Sequence, residues 1–205
     1  MHWRLNRIQY PIYNLGPGKR IGIWVQGCSI RCQGCVNPSL WTIQNGQDID
    51  IEYLISRLLK IHDQFDGITI TGGEPFDQYE ELIAFSAFIK KKTGLNIYVF
   101  SGYSLEELKE KFDDRLFMSA IDYLMDGRYI AGKHDNNNIR GSSNQSLYRF
   151  ENGAPILLNE YFESRQWSIN LSEDKRLFMS GIPKDNDLST IKEYLKNTGI
   201  NMEFA

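Results

Sequence analysis

The sequence is poor in cysteine: 205 residues hold three, all within eight positions. An odd count so closely spaced excludes a disulfide framework, which pairs its cysteines. Long hydrophobic runs are also missing. No stretch approaches the roughly 20 apolar residues of a membrane-spanning helix, so no membrane association is expected. The opening residues, MHWRLNRIQYPIYN, contain no apolar core of the kind a secretory signal has. Closely grouped cysteines without such a signal point to a reducing cytoplasm. Charge of one sign is not in excess: 23 Lys and Arg stand against 26 Asp and Glu, a net charge of -3. Without a basic field, nucleic acid is not an expected partner. The run Lys90-Lys91-Lys92 follows a helical pattern and suits that helix's C-terminus. Repeats and low-complexity tracts are absent.

The 41% hydrophobic content suits one globular domain with room for a second small unit. IGIWVQG (21–27) is a short apolar run with β-branched and aromatic residues, which predicts a buried strand. Residues 1–20 read as an irregular or edge segment ending in Gly16-Pro17-Gly18. IEYLISRLLKIH (51–62) carries Ile51, Leu54, Ile55, Leu58 and Leu59 on one helical face. GITITGG (67–73), NIYVFSGY (96–103) and AIDYLMDG (120–127) predict strands. Between them, residues 79–92 predict a helix closed by Gly94. A second helix starts at Ser104, with Glu107 completing a capping box. Alternating β and α predicts an α/β fold with a mostly parallel sheet and right-handed crossovers. Functional groups are then expected at the carboxyl ends of the strands. The cysteine loop, Thr71–Pro75, Ser101–Tyr103 and Asp126–Arg128 each follow a strand. Beyond residue 130 the pattern weakens; one more β/α unit is expected there.

The cysteines read C-x3-C-x2-C: Cys28, Cys32 and Cys35. Thiolates are soft ligands that select zinc or iron–sulfur clusters. Structural zinc sites use two Cys pairs or Cys and His pairs. Here one group of three stands alone, and His2, His62 and His134 are all remote in sequence. A cluster with three protein ligands keeps one iron open, as a catalytic site requires. The expected group is a [4Fe–4S] cluster, with zinc or an unliganded trio as alternatives.

Residues 16–41, GPGKRIGIWVQGCSIRCQGCVNPSLW, resemble the radical SAM superfamily, and most closely the small activating enzymes of anaerobic ribonucleotide reductase. TGGEP (71–75) is similar to that superfamily's SAM-binding motif. FSGYSLEEL (100–108), DYLMDGRY (122–129) and RGSSNQ (140–145) resemble activase segments in order and approximate spacing. The likeness covers roughly residues 12–146. It implies a partial, incomplete TIM-like β/α barrel of the radical SAM type. Cys28, Cys32 and Cys35 would hold three irons, and S-adenosylmethionine would bind the fourth. An electron passed into the cluster would cleave the sulfonium to methionine and a 5′-deoxyadenosyl radical, which abstracts hydrogen from the substrate. The protein would supply orientation and redox tuning.

The residues suit those tasks. Gly72 and Gly73 permit close backbone approach to a ligand. Glu74 can accept from the SAM ammonium, and Pro75 stiffens the turn. Gly27 and Gly34 would turn amides toward cluster sulfurs. Asn37 and Trp41 match the family's loop, and Ser101 can meet the SAM backbone or ribose. Asp126 and Arg128 would contact the SAM carboxylate or the substrate, or else form a structural pair. Arg140 with residues 141–145 makes a polar loop, substrate-side or solvated, and Tyr103 stacks on adenine or packs. Gly34 stands where many superfamily members have an aromatic residue, a departure shared with the activases.

The domain expectation is a core over residues 1–146 with its cluster loop at 27–41. Residues 147–205, including Tyr161, Phe162, Trp167 and Phe178, form an extension packed on the same sheet as a further β/α unit. The resemblance implies a glycyl-radical protein as partner and a flavodoxin-like reductant. Two other functions remain open: radical SAM chemistry on a small molecule, nucleotide or peptide, and a non-enzymatic iron–sulfur protein.

Overall fold

The computed structural model describes residues 1–135, 139–159, 167–171, 177–182 and 187–197. Tyr161 and Phe162 lie outside them. Eight strands form one mixed sheet in the order β3-β1-β2-β4-β5-β6-β7-β8. Its centre is the expected parallel block: β2 (Arg20–Val25), β4 (Gly67–Gly72), β5 (Asn96–Phe100) and β6 (Tyr123–Asp126). Helix α1 (Ile51–Leu58) and then α2 (Tyr79–Thr93) make two of the crossovers. Helices α3 (Leu105–Lys111) and α4 (Asp114–Ala120) together make the third.

Antiparallel strands flank the block on both sides, so the sheet is less parallel than the sequence implies. β1 (His2–Ile12) lies between β2 and β3 (Gln47–Asp50). The N-terminal segment is therefore an interior strand, not an irregular one. Trp3 and Leu5 are buried in the core on one face and Ile12 in that on the other, and the register against β2 slips twice, between Leu5 and Arg7 and between Gln9 and Ile12. That irregularity breaks the period of two by which a strand is recognised. On the far side, β7 (Ser146–Glu151) and β8 (Ala154–Leu158) add a hairpin to the sheet. Asn152 and Gly153 sit at φ 51° and 75°, as a tight hairpin turn requires. Among the described residues no pairing joins the edges β3 and β8, so the sheet is open and no closed barrel is found.

All six residues of β2 are buried, because both faces of the sheet are covered. One face holds Ile21, Ile23, Ile68, Ile70, Ile97 and Val99 in a core with helical Leu54, Leu82, Phe85 and Phe117. The other carries Trp24, Tyr98, Phe100 and Met125. β9 (Trp167–Leu171) and β10 (Leu177–Gly181) pair with each other in a separate sheet, and α5 (Asp187–Asn197) follows. This hairpin lies over β1 and the turn after it. The Asn14 Nδ2 donates to Ser180 O at 2.7 Å and Ser168 Oγ at 3.0 Å. The Arg7 guanidinium stacks on Trp24 at 5.0 Å and on Phe178 at 4.9 Å.

The local signals hold where they were strong. Ser104 and Glu107 form the capping box of α3, and Gly94 closes α2 at φ 71°. Lys90 leaves the end of α2 to meet Asp122 at 2.7 Å.

Candidate functional site

The carboxyl ends of β2, β4, β5 and β6 form one rim, and the four expected loops meet there. The cysteine loop follows β2 and is closed at its base. Gly27 N–H donates to Leu40 O at 2.8 Å and Cys28 N–H to Trp41 O at 3.1 Å. Gln26, fully buried, donates to Ser39 O and Thr42 O, both at 2.9 Å. Leu40 is buried beneath the loop, and Asn37 Oδ1 accepts from Ser39 Oγ at 2.7 Å.

Backbone amides lie near the sulfurs. The Asn37 N–H donates to Cys35 Sγ at 3.4 Å, while the amides of Ile30 and Arg31 favour the Cys28 thiolate and that of Tyr129 the Cys32 thiolate. All three thiols are partly exposed. Burial pushes the Cys28 thiol up to about 11 and raises that of Cys32. Without a cation these groups stay protonated at neutral pH, so metal binding must release protons. As placed, no three or more His, Cys, Asp or Glu among the described residues are already gathered about one metal position. A four-iron cluster spaces its thiolate ligands more widely than one ion does. Three soft donors on one loop, with backbone amides near their sulfurs, fit such a cluster.

The glycine turn after β4 is stitched to the start of this loop. Gly73 N–H donates to Val25 O at 2.9 Å and Glu74 N–H to Gly27 O at 2.8 Å. A Cβ on Gly72, whose φ is +107°, would lie 2.7 Å from Val25 N and O. One on Gly73 would collide with Gly27 O. The glycines thus admit the chain's own backbone. Gly73→Ala is expected to cost roughly 1–3 kcal/mol, as overpacking does, and to lower the melting temperature by several degrees. Thermal unfolding monitored by circular dichroism checks it.

Glu74 lies beneath the rim, 1% exposed. Its Oε1 accepts from Phe76 N–H at 3.0 Å and Ser101 Oγ at 2.9 Å, and its Oε2 from Gly102 N–H at 2.7 Å. The carboxylate that the sequence suggested for a ligand ammonium thus joins the loops after β4 and β5. Burial pushes it up to about 7, against the pull of those three donors. Pro75 opens the short helical turn that follows, and Ser101, also buried, accepts from Tyr103 N–H at 3.1 Å.

Asp126 ends β6. It accepts from Leu105 N–H at 2.7 Å and Ser146 N–H at 3.1 Å, and burial raises it. Arg128 pairs with Glu107 at 2.8 Å. The polar loop at 140–145 folds back on the same segment. Gln145 donates to Gly127 O at 2.8 Å, Asn144 to Arg128 O at 2.9 Å, and Arg140 pairs with Asp135 at 2.6 Å. That loop presses residues 128–131 against the cysteines: a Cβ on Gly34 would lie 3.4 Å from Ala131 and 3.5 Å from Tyr129.

Two residues at the site were missed. Gln26 reads as an ordinary strand end, and nothing in the sequence marks it. Asp77 accepts from Ser29 and Tyr103; its only signal is an acidic residue two places after the motif's proline. A cleft of about 300 Å³ opens beside Cys28, lined among others by Ser29, Arg31, Trp41 and Asp77.

Comparison with known proteins bears on the same residues. The family model of the 4Fe-4S single cluster domain matches residues 14–148. An anaerobic ribonucleoside-triphosphate reductase-activating protein of Haemophilus influenzae is 32% identical over 157 residues, covering 72% of this chain and 99% of that protein. The protein of the same name from Enterobacteria phage T4 is 32% identical over 145 residues, 68% of this chain and 89% of the phage protein. That of Escherichia coli K12 is 31% identical over 140 residues, 65% and 90% of the respective chains.

Proposed function

The chain belongs to the family of anaerobic ribonucleoside-triphosphate reductase-activating proteins and carries their 4Fe-4S single cluster domain, and from that premise we propose a radical SAM activating enzyme. Cys28, Cys32 and Cys35 are the ligands of a [4Fe–4S] cluster in this reading. A cluster held there would supply the electron for reductive cleavage of S-adenosylmethionine to methionine and a 5′-deoxyadenosyl radical. The observation that carries the reading is the meeting of four strand-end loops at three partly exposed thiols, the chain's full set of cysteines.

The chain's own residues bind and orient. Gly72 and Gly73 lock the motif turn to the base of the cysteine loop. Glu74 works from below, fixing Ser101 and Gly102 so that the loop after β5 stands at a set height beside Ile30. Asp126 ties the end of β6 to the start of α3 and to β7, below the segment whose Tyr129 amide favours the Cys32 thiolate. Asn37 supports Cys35. Residues 1–146 form the core, on a sheet read as an incomplete barrel, and 147–205 are an extension.

The hydrogen donor is a glycine in a large glycyl-radical partner, and a flavodoxin-like protein in the cytoplasm is the reductant. A second reading, a small-molecule or peptide substrate, is favoured by the β9–β10 hairpin over β1. In that reading the hairpin would narrow access to the sheet face that carries Trp24.

The test is anaerobic. The protein is loaded with iron and sulfide, reduced with dithionite and given S-adenosylmethionine. Formation of 5′-deoxyadenosine and methionine together is expected. A loaded, reduced cluster whose electron paramagnetic resonance signal ignores S-adenosylmethionine would overturn the reading.

A further inference from the structure

We propose that Asp77 is a positioning residue that pre-shapes the cysteine loop for its cluster, an inference that rests on the cluster reading above. Asp77 stands in the short helical turn Pro75–Gln78, yet its carboxylate reaches away from that turn. Oδ2 accepts the Ser29 N–H at 2.6 Å, and Oδ1 accepts the Ser29 Oγ at 2.8 Å and the Tyr103 OH at 3.2 Å. The Ser29 and Tyr103 hydroxyls also meet at 3.0 Å, and the Lys111 ammonium lies 5.3 Å from the Tyr103 ring centre.

Ser29 directly follows Cys28. On the other side of Cys28, Gly27 O accepts the Glu74 N–H at 2.8 Å. Residues 74–77 therefore grip both chain neighbours of one cysteine. The chain then turns sharply, with Arg31 at φ 50°, and the Ile30 and Arg31 amides favour the Cys28 thiolate. Consecutive amides turned this way form a concave nest for a negative atom. A thiolate at Cys28 is such an atom. Tyr103 adds the loop after β5 to the same clamp, so three of the four rim loops converge on Asp77.

The effect is on order. A loop that must gather three thiols as metal arrives loses its freedom at that moment, and affinity falls accordingly. With Ser29 already fixed by bonds to a charged acceptor, which are stronger than neutral ones, part of that cost is met on folding. Partners one shell outside the ligands typically shift metal affinity by about 10–100-fold. Asp77 is exposed and makes no bond inside the core, so its removal should act on the loop and leave the fold intact.

The experiment uses the full chain, stripped of metal under reducing anaerobic conditions. Co(II) is titrated as a probe of the thiols and followed by its thiolate charge-transfer absorbance. Loss of iron from the reconstituted protein to a chelator is timed in parallel. Asp77→Ala is expected to bind Co(II) about 10–100-fold more weakly and to lose iron correspondingly faster, at an unchanged melting temperature. Asp77→Asn, which keeps an acceptor for the Ser29 N–H, is expected to recover most of the loss, an outcome that general destabilisation would not produce. Equal Co(II) affinity and equal iron loss in wild type and Asp77→Ala would overturn the proposal. Should Asp77→Ala fail to fold, Ser29→Ala removes one of the accepted bonds. A smaller fall in affinity is expected there, and no fall overturns the proposal. A wild-type chain that binds neither Co(II) nor iron through its thiols would instead overturn the cluster reading.

Discussion

Cys32→Ala is expected to yield a folded protein that holds no intact [4Fe–4S] cluster and cleaves no S-adenosylmethionine above background. Cys32 is partly exposed and packs in no core, so its loss should change stability by no more than about 0.5 kcal/mol, as at other surface sites. The Tyr129 amide favours its thiolate, and in the variant water can take the sulfur's place beside that amide. The chemical consequence is large. A site that keeps one iron open for a ligand has no spare protein thiolate, and no other cysteine exists in the chain to substitute. Iron and sulfide per chain, together with visible absorbance, measure the first effect, and chromatography of 5′-deoxyadenosine the second. Full-strength cluster absorbance with undiminished cleavage in this variant would remove Cys32 from the ligand set. The same reasoning covers Cys28 and Cys35. Cys28, whose thiol burial pushes up to about 11, has the most to gain from a cation that stabilises its thiolate.

Much of this site was legible because its signals are local. Three cysteines in eight residues define a ligand loop whatever surrounds them. The parallel block could be read because each of its strands is a short apolar run followed by glycine or a polar turn. What escaped the sequence depends on partners far along the chain. β1 hides behind its register slip, and its burial is seen only once β2 and β3 lie on either side. The hairpin at 146–158 was signalled by Asn152-Gly153, but the strands around it are half exposed and weakly patterned. Residue type also says little about partners within the chain. Glu74, Ser101 and Asp126 are polar residues at strand ends, which suggests ligand contact. In the structure each is buried and accepts from backbone amides, and the polar run at 140–145 donates to backbone carbonyls at 127 and 128. Position along the strand is written in the sequence; the direction a side chain takes from that position is not.

Glu74→Ala is expected to be the most destabilising of these substitutions, because it removes the acceptor for three donors at once. The Phe76 and Gly102 amides would be left without their partner beside a buried space, and each such loss costs about 1–3 kcal/mol, so a total near 3 kcal/mol follows once Ser101 Oγ has rotated to another partner. Glu74→Gln should recover only part of this, since its one amide oxygen cannot face both sides of the old carboxylate and its NH2 must meet a donor. The group also imposes a pH dependence on the metal-free protein. Its folded value, about 7, lies above the ordinary 4.5 because burial disfavours the charge. The folded state therefore holds the proton more tightly than the unfolded chain does. The stabilisation from that difference is complete below about 4.5 and is lost as pH rises through about 7, roughly 3 kcal/mol in all. Protonation is accommodated by the same partners, because the Ser101 hydroxyl can turn from donor to acceptor. Urea unfolding of the metal-free protein between pH 5 and 8 should show this decline in wild type and a flatter curve in Glu74→Gln. Parallel curves would mean that Glu74 is ionised throughout, held so by its three donors. The height of the loop after β5 over the cysteines, set by Ser101 and Gly102, would then not respond to pH.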